Sequence, residues 1–215
     1  MSDYFHHTVL LNQAVDALIT NKDGVYVDAT FGGGGHSTKI LEQLSPKGKL
    51  FAFDQDDQVQ HHLPKDNRFT WIKSNFRYLK KYMEFYNIEK LDGLLADLGI
   101  SSHHIDAEER GFSFHSNAPL DMRMNNQQTR TAYDVWHNYN EQDLINILRD
   151  YGEITNAPTI IKKWMAEKKT RKLNTCAELA NWLQPFTYGK SNKFLAQVFQ
   201  ALRIEVNQEM QVLDE

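Results

Sequence analysis

The 215-residue chain has one cysteine, Cys176, and no long apolar run. A single cysteine excludes a disulfide framework or a cysteine-based metal centre within one chain, so we expect a reducing, cytoplasmic setting. The first residues lack the basic region and apolar core of a secretory signal. No run approaches the roughly 18 apolar residues of a membrane span, so we expect no membrane association. The histidine pairs also lack ligand spacing, and we predict no metal site.

A strong positive charge is also missing, because the formal net charge is −4. The distribution of charge is uneven. Residues 158–193 carry eight Lys or Arg and two Glu, a local net charge of +6, so the rest of the chain sums to −10. Such asymmetry can mark a phosphate-facing surface or a solvated helical face, and charge alone does not distinguish them.

The first hundred residues alternate between short apolar runs and stretches with apolar residues at helical spacing. The run at 91–100 is apolar on both faces, as expected of a buried parallel strand. This alternation predicts βαβ units and a doubly wound α/β sheet. The predicted strands are 25–29, 49–54, 69–74 and 91–100, and the predicted helices are 37–44 and 75–86.

The pattern changes after residue 103. Residues 103–130 are loop-like, and the remainder is helical. Asn140 is a predicted N-cap and Gly152 a predicted C-cap, while Thr175 and Glu178 have the spacing of a capping box. A final long helix is predicted from one apolar stripe of Leu195, Phe199, Leu202, Val206 and Met210.

These patterns predict three segments along the chain. Residues 1–103 form the first part of a cofactor-binding α/β domain. Residues 104–192 form a loop plus a small helical module. Residues 193–215 form a helix that returns to the α/β domain.

Four consecutive glycines lie in VDATFGGGGHSTK, residues 27–39. A glycine-rich turn after a strand lets backbone N–H groups meet a ligand at a helix N-terminus. No lysine follows in the register of a P-loop, and a dinucleotide fingerprint would need glycine at Ser37. The remaining option is an adenosyl cofactor with a D-x-G-x-G-x-G loop, of which Asp28, Gly32 and Gly34 are present. A nicotinamide-dependent oxidoreductase stays as the less favoured alternative.

Further candidates stand at the ends of the other predicted strands. Asp54 closes the second strand, 19 residues after Gly35, where a carboxylate accepts hydrogen bonds from ribose hydroxyls. Phe76 follows the third strand and either flanks an adenine or packs in the core. Asp97 closes the fourth strand and faces the same crevice, so the reacting group is expected at the turn that follows it.

Several stretches together resemble the bacterial 16S ribosomal RNA (cytosine-N4)-methyltransferase family. They are HHTVLLNQAVDAL, YVDATFGGGGHS, FAFDQD, DGLLADLGISS, ERGFSF, PLDMRM and FQALRIEVNQE, and they cover almost the whole chain. The resemblance implies methyl transfer from S-adenosylmethionine to the N4 amine of a cytidine in 16S rRNA of the small ribosomal subunit. It also implies a Rossmann-like S-adenosylmethionine-dependent methyltransferase sheet with an inserted helical module.

The resemblance also carries the family's cofactor contacts onto this chain by position. At position 104 the family usually has Gln, whereas this chain has His104. A histidine ring can still donate or accept one hydrogen bond there. The implied cofactor contacts are Gly35, His36, Ser37, Asp54, Phe76, Asp97 and His104.

Methylation of an exocyclic amine requires positioning more than a strong base, because the donor is a reactive sulfonium. The cytosine amine is a weak nucleophile, and a nearby acceptor would favour its pyramidal form and later take its proton. Asp97, Ser101 and Ser102 are therefore the predicted catalytic residues. Contact with the methionine part of the cofactor is the alternative for Asp97.

The target base must leave its stack to reach the methyl group, so RNA contacts are expected near the catalytic turn. Arg110 and Arg123 are candidates, although Arg123 has an alternative as an ion-pair partner of Asp121. The nearby Phe112 and Phe114 are expected to pack instead. The basic stretch adds further phosphate-binding candidates at Lys168, Lys169 and Arg171.

The family normally continues beyond FQALRIEVNQE into further strands and helices, including a motif similar to SFHSLEDR. We therefore expect this chain to lack that C-terminal part and to leave one edge of its sheet unpaired. A non-catalytic cofactor-binding or RNA-binding fragment is the alternative that follows.

Overall fold

The structure, a computed structural model, describes residues 9–100, 107–187, 189 and 191–215. It divides into two compact units, residues 1–103 and 104–215, which are described separately. Within the described part of the chain, no helix is long and apolar enough to cross a membrane.

The first unit is built on a parallel sheet of four strands in the order β3-β2-β1-β4. This confirms the predicted α/β fold and its βαβ connections. Three helices, α1, α2 and α3, belong to the same unit. The strands are β1 Val25–Asp28, β2 Lys49–Asp54, β3 Phe69–Lys73 and β4 Gly93–Leu95, and the helices are α1 Leu11–Leu18, α2 Gly35–Gln43 and α3 Leu79–Phe85.

Apolar residues of the central strands form the core on both faces of the sheet. On one face, Tyr26 and Leu50 pack with Ile40 and Leu41 of α2. On the other, a second cluster includes Met83 of α3, and its strand members are Val27, Phe51, Phe53 and Ile72. The predicted apolar faces of both helices therefore lie on the sheet, which fixes the strand ends.

Strand β4 is shorter than the predicted 91–100. Asp92 precedes it, with its carboxylate accepting the Val25 N–H at 2.9 Å, and Leu95 ends its pairing by accepting the Ala29 N–H at 2.8 Å. In the described sheet β4 is an edge strand, and Leu94 is 45% exposed. The predicted burial of both faces is therefore wrong at Leu94, because no described element covers its outer side.

The remaining first-unit elements differ in smaller ways. Helix α1 is not predicted by the sequence patterns. The predicted helix 75–86 begins as a 3₁₀ turn at Phe76–Tyr78 before α3. A further 3₁₀ segment covers Asp57–His62 after β2.

The second unit is helical, as predicted. Asn140 caps α5 by accepting the Asp143 N–H, and Thr175 and Glu178 form the predicted capping box of α7. The helices are α4 Ala132–Asn138, α5 Glu141–Asp150, α6 Ala157–Glu167, α7 Cys176–Leu183, α8 Ser191–Asn207 and α9 Glu209–Asp214, with 3₁₀ turns at Glu108–Arg110 and Gln184–Phe186.

Gly152 is not the left-handed C-cap that the sequence suggests. Helix α5 ends with Tyr151 in a right-handed conformation, and the positive φ of 55° falls on Glu153. A Cβ at Gly152 would instead lie 2.8 Å from the Leu148 carbonyl oxygen and 2.9 Å from that of Gln197. The glycine is needed because α8 passes close to the end of α5.

The C-terminal segment also differs from prediction at Gln208. Gln208 has a φ of 53° and breaks the single predicted helix, so Met210 lies on α9 and is exposed. The rest of the predicted stripe, from Leu195 to Val206, is buried. Helix α8 packs against α4 and α5 within the second unit.

Candidate cofactor and RNA sites

Asp28 organises the glycine loop from inside the first unit. It ends β1 and is fully buried. One carboxylate oxygen accepts the Thr30 N–H at 3.0 Å, and the other accepts the Ser37 hydroxyl at 2.7 Å. Asp28 therefore joins the two ends of the loop and is turned away from any ligand.

Burial raises the pKa of the Asp28 carboxyl above its ordinary value of 3.8. The hydrogen bonds from Ser37 and Thr30 act in the opposite direction but do not cancel the effect. A charge at Asp28 is thus costly, and its two hydrogen bonds compensate for part of that cost.

Asp54 connects the loop to the end of β2. Its Oδ2 accepts the Gly32 N–H at 2.8 Å, and its Oδ1 accepts the Asp56 N–H at 2.9 Å. The carboxylate is only partly buried, and each of its oxygens has two lone pairs. Asp54 therefore holds the loop at Gly32 with a carboxylate that is only partly buried.

Asp97 connects the loop to the segment that follows β4. Its backbone N–H donates to the Thr30 hydroxyl at 2.8 Å. The carboxylate is 50% exposed, and its Oδ2 lies 3.9 Å from Nδ1 of His36. Asp97 is thus fixed through its backbone, while its side chain stays open to solvent.

His36 lies in the first turn of α2 and is 6% exposed. Its Nε2 lies 3.2 Å from the carbonyl oxygen of Val9, and its other nitrogen faces Asp97. The ring at this predicted cofactor contact therefore lies between the Val9 carbonyl oxygen and the Asp97 carboxylate.

The start of α2 has the backbone expected of an anion-binding turn. Gly34 has a φ of 77°, and a Cβ there would lie 2.8 Å from the Phe31 ring. A Cβ at Gly33 would meet nothing within 4 Å, so the loop is open on that side. The first N–H groups of a helix lack intrahelical acceptors. Those of Gly35, His36 and Ser37 are therefore suited to a carboxylate or phosphate, although the buried Ser37 hydroxyl faces inward.

Phe76 follows β3 and is partly buried. Its ring packs against the core cluster that contains Phe53 and Met83. These contacts support the alternative that Phe76 packs in the core. The part of the residue that stays exposed is the part that an adenine could contact.

Three predicted site residues lie outside the described residues. They are Ser101, Ser102 and His104.

The two arginines predicted to contact RNA are committed to internal bonds in the second unit. Arg110 is 7% exposed and donates to the carbonyl oxygens of Arg123 at 2.8 Å and Met124 at 3.1 Å. Arg123 makes a two-pronged pair with Asp121, with both N···O distances 2.7 Å, which raises the pKa of its guanidinium. Arg123 is thus the ion-pair partner of Asp121, as the alternative stated. The burial of Arg110 argues against the predicted contact between Arg110 and RNA.

The basic candidates near the end of α6 differ in accessibility. Lys168 is partly buried and donates to the Tyr139 carbonyl oxygen at 3.0 Å. Arg171 is exposed and pairs with Glu167 at 3.1 Å. Lys169 and Lys172 are exposed. Because α6 buries its apolar side, including Ile160 and Trp164, its charged residues face solvent.

Two phenylalanines near these arginines pack as predicted. Phe112 is buried, and the Phe114 ring lies 5.8 Å from that of Phe199 in an edge-to-face arrangement.

Sequence reasoning missed Thr30 and the internal role of Asp28. A Thr two residues after a strand-end Asp is a signal for a side-chain-to-backbone turn, which the Thr30 N–H makes with Asp28. The bond from Asp97 to Thr30 depends on the pairing of β1 with β4, and no local pattern indicates it.

The model of the MraW methylase family matches residues 3–215. The chain belongs to this family. Similar relatives include proteins of Christiangramia forsetii, 48% identical over 212 residues, and Flavobacterium johnsoniae, 50% identical over 212 residues. Both are named ribosomal RNA small subunit methyltransferase H. Each alignment covers 98% of this chain and 70% of the relative.

Membership of the MraW methylase family confirms several predictions. They are the methyltransferase family, its Rossmann-like fold and S-adenosylmethionine as the methyl donor. The relatives agree with the predicted class of rRNA methyltransferases. The chain spans about 70% of the length of these relatives.

Proposed function

We propose that this chain methylates the N4 amine of a cytidine in 16S rRNA within the small ribosomal subunit, in the cytoplasm. The support is the family match over residues 3–215 together with a glycine loop bonded to the end of β2 and to the segment that follows β4, the two strands that flank β1. The cytidine N4 position rests on the resemblance described above.

The proposed cofactor contacts lie at the carboxyl edge of the sheet. The N–H groups at the start of α2, from Gly35 to Ser37, bind the methionine carboxylate of the cofactor. Asp54 accepts the ribose hydroxyls, and Phe76 flanks the adenine. The open side of Gly33 and the half-exposed Asp97 carboxylate are the observations that fit such a ligand.

The proposed contribution of the protein to catalysis is mainly positioning. S-adenosylmethionine supplies a methyl group on a sulfonium, which needs no activation by the protein. Asp97 is held through its N–H by Thr30, so its carboxylate has a defined place beside the reaction site. The proposed proton acceptor for the amine belongs to the residues that follow Asp97 in the sequence, among them Ser101 and Ser102.

The proposed RNA surface is the exposed basic end of α6 with the residues that follow it. Lys169, Arg171 and Lys172 are exposed there, whereas Lys168 is partly buried and donates to the Tyr139 carbonyl oxygen. Exposed cations bind phosphates without reading sequence, so this surface supplies affinity while the target base is selected elsewhere.

Methyl transfer followed by nucleoside analysis tests the proposal. Small ribosomal subunits without this modification are incubated with the chain and methyl-labelled S-adenosylmethionine, and the RNA is digested to nucleosides. We expect the label in N4-methylcytidine. Label in another nucleoside would contradict the target, and cofactor binding without transfer would favour the non-catalytic alternative.

A further inference from the structure

Helix α3 of the first unit presents cations and aromatic rings to solvent. Residues 73–83 carry four Lys or Arg and no acid, although the chain outside residues 158–193 sums to −10. None of the exposed side chains here belongs to the proposed cofactor site or to the basic end of α6. We call them the α3 surface, and they are Tyr78, Lys80, Lys81 and Phe85.

The two aromatic rings of the α3 surface lie along one stripe of the helix. Nζ of Lys81 lies 5.4 Å from the centroid of the Tyr78 ring. Phe85 follows Lys81 by four residues and so lies one turn further along the same side, about 10 Å from Tyr78 along the helix axis. Tyr78 is 43% exposed and Phe85 is 75% exposed. The stripe therefore presents two accessible rings with a cation between them.

The two lysines of the α3 surface keep their charge for a ligand. Among the described residues, neither Lys80 nor Lys81 forms an ion pair with a carboxylate, including that of Glu84 on the next turn. Lys73 at the end of β3 differs from them, because it is paired with Asp57. Exposed cations of this kind are suited to the phosphates of a nucleic acid.

The other side of α3 fixes this surface to the sheet. Met83 is buried in the core cluster on that face of the sheet. The segment that leads into α3 starts at the carboxyl end of β3, where Nδ2 of Asn75 lies 3.4 Å from Oε1 of Gln55. Gln55 directly follows Asp54 in the sequence. The α3 surface therefore begins at the same edge of the sheet as the proposed cofactor site.

We propose that the α3 surface binds the single-stranded RNA that flanks the target cytidine, an inference that rests on the proposed function. The target base must leave its stack to reach the methyl group, so the nucleotides beside it run over the unit that holds the cofactor. Unstacked bases stack on exposed aromatic rings, and nearby cations bind the phosphates. Tyr78 and Phe85 are assigned to bases, and Lys80 and Lys81 to phosphates.

The mixture of rings and cations favours RNA over a protein partner. Lysine is depleted at the centre of protein–protein interfaces, where aromatic residues are enriched. Here Lys81 lies over one ring of the stripe and one turn before the other. Alternation of aromatic rings with cations is instead typical of surfaces that bind single strands.

Binding of a labelled ten-nucleotide oligouridine tests the inference without relying on activity. Oligouridine contains no complementary bases, so its bases are available for stacking. Fluorescence anisotropy at several salt concentrations gives the affinity and the slope of log affinity against log salt. All chains in this experiment carry substitutions that remove binding at the basic end of α6, namely Lys169→Ala, Arg171→Ala and Lys172→Ala.

The lysines should determine the salt dependence of this binding. With Lys80→Gln and Lys81→Gln combined, we expect the slope to fall by about 0.7 for each lost phosphate contact. The matched control is Lys22→Gln combined with Lys47→Gln. These two exposed lysines precede β1 and β2, at the opposite edge of the same sheet.

The rings should determine affinity without changing the salt dependence. Tyr78→Leu and Phe85→Leu keep apolar bulk but remove the aromatic face. Each should weaken oligouridine binding about fivefold or more, since stacking of one base is lost. The salt slope should stay the same, because no phosphate contact is removed. Thermal unfolding shows that each variant is folded.

Three results have different consequences. If the lysine and ring variants bind oligouridine as the control does, the inference is wrong and the proposed function stands. If they bind oligouridine normally but lose affinity for intact small subunits, the surface contacts a ribosomal protein instead, which also overturns the inference. If oligouridine binds through the α3 surface but the unsubstituted chain transfers no methyl group to small subunits, the proposed function fails and the surface belongs to a non-catalytic RNA-binding fragment.

Discussion

At the scale of single residues, three aspartates contact the glycine loop, Asp28 and Asp54 through their carboxylates and Asp97 through its backbone N–H. Asp28 joins its two ends, Asp54 holds Gly32, and Asp97 is held by Thr30. The sequence predicts ligand contacts for Asp54 and Asp97 and gives Asp28 only as the acid of the loop pattern, and the structure shows the buried Asp28 bonded to Thr30 and Ser37. Local sequence cannot distinguish an acid that faces a ligand from one that organises the loop, because that depends on packing.

Replacing Asp28 by Asn should alter how stability depends on pH. The raised pKa of Asp28 means that the folded chain holds this proton more tightly than the unfolded chain. The contribution of the protonated Asp28 to the free energy of unfolding is fully present below the ordinary pKa of 3.8 and is lost as pH rises through the folded-state pKa. Asn keeps partners for Thr30 and Ser37 and cannot ionise.

We therefore expect the Asp28→Asn variant to become more stable relative to the unsubstituted chain, measured by the free energy of unfolding, as pH rises from about 4 to 7. The gain is about 1.4 kcal/mol for each unit by which the pKa is raised. Urea unfolding at several pH values measures it, with Asp214→Asn at an exposed carboxyl as control. A constant difference across the window would contradict the buried-acid account.

At the scale of elements, glycines serve two different purposes. Gly33 leaves a loop open, whereas Gly152 lets one helix pass close to the end of another. Gly33 belongs to the run of four glycines, whereas Gly152 is a single glycine that the sequence predicts as a helix cap. A glycine is required at position 152 because α8 passes close to it. This contact is long-range in the sequence, so no local pattern indicates it.

The two glycines predict opposite outcomes for substitution by alanine. Gly152→Ala should lower the free energy of unfolding by about 1–3 kcal/mol, because its Cβ would meet backbone carbonyls. Gly33→Ala should leave stability nearly unchanged but weaken S-adenosylmethionine binding, because the added methyl group occupies the open side of the loop. Thermal unfolding and calorimetry on both variants measure these effects. Equal effects on stability would show that Gly33 is not open.

Most of the helices and strands follow from local patterns, and the misses have physical causes. The caps at Asn140 and Thr175 are correctly predicted, since a cap depends on residues three positions apart. The break at Gln208 is missed because the apolar pattern of the sequence continues past this residue, whereas its left-handed backbone ends the helix. The predicted fourth strand is too long because apolar residues alone do not indicate where the pairing of β4 stops.

At the scale of the whole molecule, charge is separated along the chain. The overall charge is −4, yet the end of α6 presents exposed cations. Sequence reasoning located this basic stretch but could not rank its members. The structure ranks Lys169 and Lys172 as the most accessible, since Lys168 bonds to a backbone carbonyl and Arg171 pairs with Glu167.

Removing the exposed cations should weaken RNA binding and flatten its salt dependence. For Lys169→Ala, Arg171→Ala and Lys172→Ala combined, we expect the slope of log affinity against log salt to fall by about one for each lost phosphate contact. Binding titrations on 16S rRNA at several salt concentrations measure it. Arg149→Ala, an exposed residue paired with Asp150, is the control. An unchanged slope would mean that these cations only face solvent.

The central claim is that this chain folds a binding site for S-adenosylmethionine at the carboxyl edge of its sheet. Calorimetric titration of the 215-residue chain with S-adenosylmethionine, and in parallel with NAD, tests it most directly. We predict saturable binding of S-adenosylmethionine at one site and no binding of NAD. Binding of NAD alone, or of neither ligand, would contradict the account.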